Sequence, residues 1–308
     1  MKISHHMRRE NSGLVHTTLE IVEEEQRQGH GIRVVEPSNG VTAMFETFDG
    51  LPDVHAIHSQ LSAHTYHDKV PKIMWMHGEP LGSVGNGISM RAIVDLAPSC
   101  EAFICMRKEE WPVWDAIRKT FIVTKGIDLE RFKPMEGVEK LTGEPAILYY
   151  ENWRGQRNPL LLCLAMLEVI KVFPKAKLHL YNCPGGKMFD TFQRLINHCR
   201  WYTFIGSLKS QEKDVVRLLN RSDIVVSCLY PLYARGIEAF GCGKAFIGPG
   251  YKEEGYPYTC DLEAGNMAKA IIKAWEERGK VDFRQWAKDK HDVATTVKEC
   301  VDVYQRYA

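Results

Sequence analysis

Short apolar runs alternate with amphipathic segments along the first part of the chain. Such runs are typical of strands that are buried on both faces of a sheet, whereas the amphipathic segments predict helices. The predicted strands cover residues 1–4, 32–35, 53–57, 72–76, 101–106 and 121–123, and the predicted helices cover residues 14–28 and 109–117. Because strands and helices alternate, we expect a parallel sheet with helices on its faces.

The alternation restarts after a polar segment at residues 134–145, which lacks apolar periodicity and contains two glycines. This composition predicts a linker between two domains. Strands are then predicted at residues 146–150, 177–181, 202–205, 223–227 and 245–247, and helices at 160–173, 188–199, 211–220, 235–242 and 266–277. One last helix is predicted from Phe283 through Tyr304. The fold class is therefore α/β, with two parallel-sheet domains.

Composition and charge narrow the range of functions. The 308 residues include 40 basic and 39 acidic side chains, a net charge of +1, which disfavours a dedicated DNA-binding protein. No run of eighteen apolar residues predicts a membrane helix, and the N-terminus lacks the apolar core of a signal peptide. Nine cysteines without a C-x-x-C pair indicate reduced, mostly buried thiols and a cytoplasmic location.

Histidines are candidate metal ligands in the first half, but their spacing argues against this role. His55, His58, His64 and His67 fall on a strand and then on a polar loop, without compact ligand spacing. We therefore expect no metal there. His77 directly follows a predicted strand and precedes a glycine, which is where α/β folds place reactive groups.

The stretch from residue 223 to residue 250 reads as strand, loop, short helix and strand. Such a unit places a helix N-terminus at the carboxyl end of a strand, where α/β sheets bind anions. Glu238 lies just inside this helix and is able to accept hydrogen bonds from sugar hydroxyls. A phosphate-binding helix start beside a carboxylate suits a nucleotide sugar. Near the N-terminus, Gly13 opens another helix, either to face a phosphate or simply as a tight connection.

Three segments resemble the retaining glycosyltransferases of the GT-B fold, family 4. Residues 125–134, KGIDLERFKP, are similar to that family's N-G-V-D-x-x-x-F-x-P crossover between domains. Residues 238–247, EAFGCGKAFI, are similar to its E-A-x-A-C-G-x-P-V-I segment, and Asn11 to His16 resemble its first glycine loop. The resemblance implies two Rossmann-like domains that face each other across a cleft.

The resemblance also implies a division of labour between the domains. An acceptor-side domain would cover residues 1–134, with a C-terminal helix at 286–308 packing back onto it, and the donor-nucleotide domain would cover residues 145–285. The donor would be a UDP- or GDP-sugar. No cofactor or metal is expected, since cationic side chains and a helix N-terminus hold the leaving diphosphate in that family.

Particular residues match the family's functional positions. His77 would contact the donor sugar, Arg157 matches a phosphate-binding lysine, and Glu238 would hold the ribose. Two departures concern the donor site: Asn152 stands where the family has an arginine, so that Arg154 would substitute for it, and Tyr230 replaces an upstream glutamate. The remaining candidates for donor binding are Gly13, Asn182, Gly206, Arg235, Gly236 and Ile237.

Two other functions stay open. Tyr230 and Asn152 favour a GT-B-like protein that binds sugar nucleotides without catalysing transfer. Sugar-nucleotide epimerisation is disfavoured, because such enzymes use several acid/base groups and one carboxylate is predicted here. For a transferase, the acceptor is a glycan, lipid, small molecule or protein, with nucleic acid disfavoured.

Overall fold

The structure is a computed structural model that describes residues 1–7, 13–37, 41–58, 69–76, 90–106, 108, 110–151, 159–181, 194, 196–205, 212–228, 233–249 and 255–308. The chain forms two compact units. Unit 1 comprises residues 1–127 and 291–308, and unit 2 comprises residues 128–290. Each unit is built around one sheet.

Unit 1 contains a seven-stranded sheet with the order β3-β2-β1-β4-β5-β6-β7. Only β3 runs antiparallel to its neighbour; the other strands pair in parallel. The strands are β1 (Lys2–His6), β2 (Gly31–Pro37), β3 (Val41–Glu46), β4 (Val54–Ile57), β5 (Lys72–Met76), β6 (Ala102–Cys105) and β7 (Thr120–Ile122). The described helices before unit 2 are α1 (Gly13–Arg27), α2 (Met90–Leu96), a 3₁₀ turn (Ala97–Ser99) and α3 (Trp111–Asp115).

Alternate residues of β5 face two separate cores in unit 1. Ile73 and Trp75 pack with α1 and the C-terminal helix on one face, whereas Met74 and Met76 pack with Trp114 on the other. This is the period of two that a strand imposes on its side chains. A strand covered on both faces therefore reads as a continuous apolar run, which is why the predicted bounds of β5 match the observed ones.

Unit 2 contains a five-stranded parallel sheet with the order β10-β9-β8-β11-β12. The strands are β8 (Ala146–Tyr149), β9 (Lys177–Leu180), β10 (Tyr202–Phe204), β11 (Ile224–Val226) and β12 (Ala245–Ile247). Its described helices are α4 (Pro159–Val172), α5 (Glu212–Arg221), α6 (Tyr233–Gly241), α7 (Ala264–Glu276) and α8 (Phe283–Lys290). The predicted fold class, α/β with two parallel-sheet domains, is confirmed.

The last predicted helix is two helices in the structure. α8 ends at Lys290 in unit 2, and α9 (Val293–Gln305) begins in unit 1. Asp292 caps the new start, where its side chain accepts a hydrogen bond from the Ala294 amide at 2.9 Å. Apolar residues continue in register through the break, so the periodicity alone predicted a single helix. The C-terminal helix that packs with α1 is thus α9 rather than residues 286–308.

The chain passes very close to the start of α9 at Gly126. A Cβ atom placed there would lie 2.5 Å from Thr296 Oγ1 and 2.6 Å from the Val293 amide nitrogen. Ile127 pairs with this turn through hydrogen bonds to His291 and Val293. The glycine of the segment that resembles a domain crossover is therefore required by close packing within unit 1.

An antiparallel edge strand, absent from the predicted elements, occupies part of the segment between Val35 and Asp53. β3 pairs with β2 across a register shift at Val34 and Val35. Arg33 Nε donates to Glu46 Oε1 at 2.6 Å, and the Ile32 amide donates to Thr47 Oγ1 at 2.7 Å. These cross-strand contacts hold β3 and the residue after it against β2.

Candidate functional site

The strand order of unit 2 defines one point where a ligand is favoured. From β8 the chain continues to β9 on one side, whereas β11 lies on the other side of β8 and leads to β12. Ligands of open α/β sheets bind at such a switch point, at the carboxyl ends of the two strands. Tyr150 directly follows β8, and α6 is the helix that follows β11. Residues from both therefore meet at this edge.

Glu238 and Tyr150 form a hydrogen bond across the switch point. The Tyr150 hydroxyl donates to Glu238 Oε2 at 2.6 Å. Arg235 Nη1 donates to the same oxygen at 3.0 Å, and the guanidinium lies over the Tyr150 ring, 4.6 Å from its centroid. Tyr150 is fully buried, while the Glu238 and Arg235 side chains keep 16% and 30% of their exposure. The carboxylate is thus fixed in orientation and still reachable by solvent.

The helix that carries Glu238 begins at Tyr233, two residues before the predicted start. In a regular α-helix the amide of the fifth residue bonds the carbonyl of the first. In a helix that begins at Tyr233, the amide of Ile237 is therefore used within the helix. The amides at the start of the helix therefore lie before Ile237. The Arg235 side chain, which we expected to add charge for a diphosphate, is bound to Glu238.

Gly236 allows α6 to pack closely on β12. A Cβ atom at this position would lie 2.8 Å from the Phe246 ring, which is too close for a real side chain. Phe246 also forms an edge contact with Phe240 of the same helix, with ring centroids 6.3 Å apart. The structure gives Gly236 this packing role, and its part in donor binding stays a prediction.

Arg284 of α8 secures the far end of α6. Its guanidinium donates to the carbonyls of Gly241 at 2.9 Å and Leu129 at 2.6 Å, and also to the carbonyl of Phe132. Phe283 stacks on Phe240, with centroids 5.7 Å apart. The sequence analysis missed this arginine, since nothing local to residue 284 distinguishes it from a solvated helix cation.

Tyr150 is the functional candidate that sequence reasoning missed at the site itself. The sequence predicts Tyr150 as the last residue of a buried strand, and the candidate residues of this region lie in the polar loop after it. Its place at the carboxyl end of the first strand of unit 2 was the available signal. The partner of its hydroxyl lies 88 residues away in sequence, which no local pattern reveals.

Several predicted site residues lie outside the described residues: His77, Arg154, Arg157, Asn182, Gly206 and Tyr230. Asn152, which bears on the role of Arg154, lies there too. Gly13 is the first residue of α1 in unit 1, and its role in donor binding stays a prediction.

Unit 1 has the same topological switch, between β1 and β4, and places histidines there. His5 Nδ1 lies 2.9 Å from His58 Nε2, and His5 Nε2 lies 2.6 Å from Glu25 Oε2. Thr18 Oγ1 reaches His58 Nδ1 at 3.3 Å. All four hydrogen-bonded side chains are buried, and His58 is the most exposed of them at 4%. We call these four residues the histidine chain.

A second histidine pair lies beside the histidine chain. His6 Nε2 is 2.8 Å from His55 Nδ1. Burial, together with the positive potential of His55, His5, Arg33 and Lys72, lowers the pKa of His6 from 6.5 to about 2. His6 is therefore neutral in the folded protein at physiological pH.

The described histidines and acids form no metal cluster. No group of three or more histidine, cysteine or acidic side chains in the described ranges has the arrangement of a metal site. His55 and His58 instead pair with other histidines, while His64 and His67 lie outside those ranges. Seven of the eight described cysteines are buried, which confirms the expectation of mostly buried thiols.

The fold is the GT-B fold, as comparison with solved structures shows. The chain is similar to Anabaena Alr3699/HepE in complex with UDP-glucose, with 15% identity, a TM-score of 0.75, and 99% of this chain and 100% of that chain covered. It is also similar to the sucrose-phosphate synthase of Thermosynechococcus elongatus, with 11% identity, a TM-score of 0.73 and coverage of 99% and 98%. A glycosyltransferase from Rickettsia africae matches at 13% identity and a TM-score of 0.71, with coverage of 99% and 98%.

Sequence comparisons add no family to this result. No family model matches the chain, and no curated protein matches it. Among the described helices, none is long and apolar enough to cross a membrane.

Proposed function

We propose that this chain is a glycosyltransferase that moves a sugar from a nucleotide-diphosphate sugar to an acceptor. The observation that carries the proposal is the Glu238 carboxylate, held by Tyr150 at the switch point of the unit 2 sheet and still partly exposed. A fixed carboxylate at this place suits the hydroxyls of a ribose, as it does in dinucleotide-binding α/β folds. The similarity to solved glycosyltransferases supports the same class of ligand.

The chemistry that we propose is stabilisation of the leaving diphosphate. Negative charge builds on the β-phosphate as the bond to the sugar breaks, and fixed dipoles and cations in a dry site lower the energy of that transition state. The N-terminal turn of α6 supplies the helix dipole. Arg154 and Arg157 supply positive charge by the resemblance, His77 contacts the transferred sugar, and Tyr230 takes the place of a carboxylate at that sugar.

We further propose retention of configuration and independence from metal and cofactors, in line with the family that the sequence resembles. The donor is a UDP- or GDP-sugar. UDP is present in similar solved structures of Anabaena Alr3699/HepE and of an α-glucosyltransferase. We propose that Gly13, Asn182 and Gly206 complete the donor site.

The direct test is a donor screen. The purified chain is incubated with UDP-, GDP- and ADP-sugars, each with glycan, lipid, small-molecule and protein acceptors, and the release of free nucleoside diphosphate is measured. We expect release with one donor class, undiminished by EDTA. The anomeric configuration of the product, read by NMR coupling constants, tests retention.

Two variants locate the site within this assay. Glu238→Ala should weaken donor binding by about thirtyfold, since it removes a charged acceptor from the ribose. Arg157→Ala should lower turnover more than binding, because its charge acts on the leaving group. Nucleotide binding without turnover across the whole panel would refute the transferase, and near-normal activity in both variants would refute this placement of the donor.

A further inference from the structure

Two donors converge on one oxygen of Glu238. Tyr150 and Arg235 both donate to Oε2, at 2.6 Å and 3.0 Å. The Arg235 guanidinium also covers the Tyr150 ring at 4.6 Å. Neither the carboxylate nor the tyrosine can rotate without breaking these contacts.

Glu238 Oε1 has a different status. Within the described part of the chain, no hydrogen bond reaches this oxygen. A carboxylate has about four acceptor positions, so that Oε1 retains its full capacity while Oε2 is occupied. Since 16% of the side chain remains exposed, a ligand hydroxyl is able to reach it.

The Tyr150 hydroxyl is a permanent donor in this arrangement. Burial and the negative charge of Glu238 raise the pKa of Tyr150 well above its ordinary value of 10.0. The hydroxyl therefore keeps its proton at neutral pH. Loss of this hydroxyl leaves only the more exposed Arg235 to orient the carboxylate.

We propose that Tyr150 is a positioning residue that holds Glu238 Oε1 toward the ribose of the donor and thereby sets the preference for ribonucleotides over deoxyribonucleotides. The inference rests on the proposed function, because it needs a nucleotide at this site. Its physical basis is preorganisation: a carboxylate that is already fixed loses no rotational freedom when it accepts from a hydroxyl. A carboxylate free to rotate gives up part of that gain.

The experiment measures ribose discrimination rather than activity. Binding of UDP and GDP, and of their 2′-deoxy and 3′-deoxy forms, is measured by calorimetry on the full chain. The wild type should prefer the ribonucleotide by about tenfold or more over at least one deoxy form, as expected for a hydrogen bond to a charged group. Tyr150→Phe should reduce that preference to about twofold or less, mainly because it weakens binding of the ribonucleotide.

Tyr149→Phe is the matched control. Tyr149 is the adjacent residue, is equally buried, and loses the same single hydroxyl in the variant. It should keep the ribose preference of the wild type. A fall of the same size in both variants would indicate a general packing effect and would overturn the inference.

Two further variants separate the possible failures. Glu238→Gln should lose the preference, and Tyr150→Phe added to Glu238→Gln should change it no further. If Glu238→Gln loses the preference and Tyr150→Phe keeps it, the role of Tyr150 is wrong while the proposed function stands. If the wild type binds no nucleotide, both are wrong.

A fold control keeps the test decisive. Circular dichroism and melting temperature identify any loss of structure in Tyr150→Phe. If that variant does not fold, Arg235→Gln is used instead, because it removes the other donor to Oε2. It is judged by the ratio of ribonucleotide to deoxyribonucleotide affinity. Loss of a diphosphate contact does not alter this ratio, because both nucleotides carry the diphosphate. A ratio equal to that of the wild type would then overturn the inference.

Discussion

Both units place a hydrogen-bonded polar pair at the switch point of a parallel sheet, but the two pairs differ in burial. In unit 1, His5 and His58 bridge the ends of β1 and β4 at 2.9 Å, and their carboxylate partner Glu25 is fully buried. In unit 2, Tyr150 and Glu238 bridge β8 and α6 at 2.6 Å, and the carboxylate keeps 16% of its exposure.

The difference lies in what is able to reach each carboxylate. Within the described residues, Glu25 Oε1 has no hydrogen-bond partner, as is also true of Glu238 Oε1. Oε1 of Glu25 is fully buried, so that neither water nor a ligand reaches it. The oxygen of Glu238 is open, so that it is available to a ligand. We infer that the first pair supports the fold and the second supports function.

Removal of the buried carboxylate should have the largest effect. Glu25→Leu leaves His5 without its acceptor and should lower the free energy of unfolding by about 3 kcal/mol, the usual cost of breaking a buried pair. Urea unfolding measures the change, and hydrogen exchange assigns it to unit 1.

Glu23→Leu is the control for that variant. Glu23 is an exposed acid on α1, two residues before Glu25. Surface substitutions usually change the free energy of unfolding by about 0.5 kcal/mol or less, so this variant should remain close to the wild type. Equal losses in the two variants would contradict a special role for the histidine chain.

Nucleotide binding should stabilise the protein through unit 2 only. At about one hundred times the dissociation constant, a ligand adds about 2.7 kcal/mol to the folded state. We expect this gain for the wild type with UDP or GDP and a clearly smaller gain in Glu238→Gln at the same nucleotide concentration, because binding is weaker. Glu25→Leu should keep the full gain, measured against that variant's own unliganded state. Thermal unfolding with and without nucleotide gives the three values, and an undiminished gain in Glu238→Gln would contradict the assignment of the open site.

Acid should destabilise unit 1 through His6. Its folded pKa of about 2 lies below the unfolded value of 6.5, so the unfolded state binds the proton more readily below pH 6.5. The contribution of His6 to the free energy of unfolding is fully present above pH 6.5. It falls as the pH drops toward 2, by up to about 1.4 kcal/mol per pH unit.

His6→Gln tests this pH dependence. The variant is less stable at neutral pH, but its stability should fall less steeply between pH 6.5 and pH 4.5, as urea midpoints at several pH values would show. A slope identical to that of the wild type would exclude His6 as the source.

The contact that joins the histidine chain to the C-terminal helix should have the smallest effect. Trp75 stacks on His58 and donates from Nε1 to the Tyr304 hydroxyl at 3.0 Å. Trp75→Phe and Tyr304→Phe each remove one partner, and a double-mutant cycle should give a coupling of about 1 kcal/mol. Additive losses would mean that this hydrogen bond contributes nothing.

The apolar runs predicted most of the described strands closely, because a strand covered on both faces has a signature that needs no partner. The observed bounds of β5 and β12 are the predicted ones. Elements that depend on contacts were missed: β3 is held by β2, and the break between α8 and α9 is held by Asp292 and the close approach at Gly126.

By itself, the sequence determined the α/β class, the alternation of elements in both halves, and Glu238 as a carboxylate on a short helix after a buried strand. The tertiary structure alone decided what Glu238 meets. Tyr150 lies 88 residues earlier, and only the pairing of β8 beside β11 brings the two side chains within 2.6 Å. The same holds for His5 and His58, which are 53 residues apart. Hydrogen bonds across a switch point join strands that are distant in sequence, so local patterns carry no record of them.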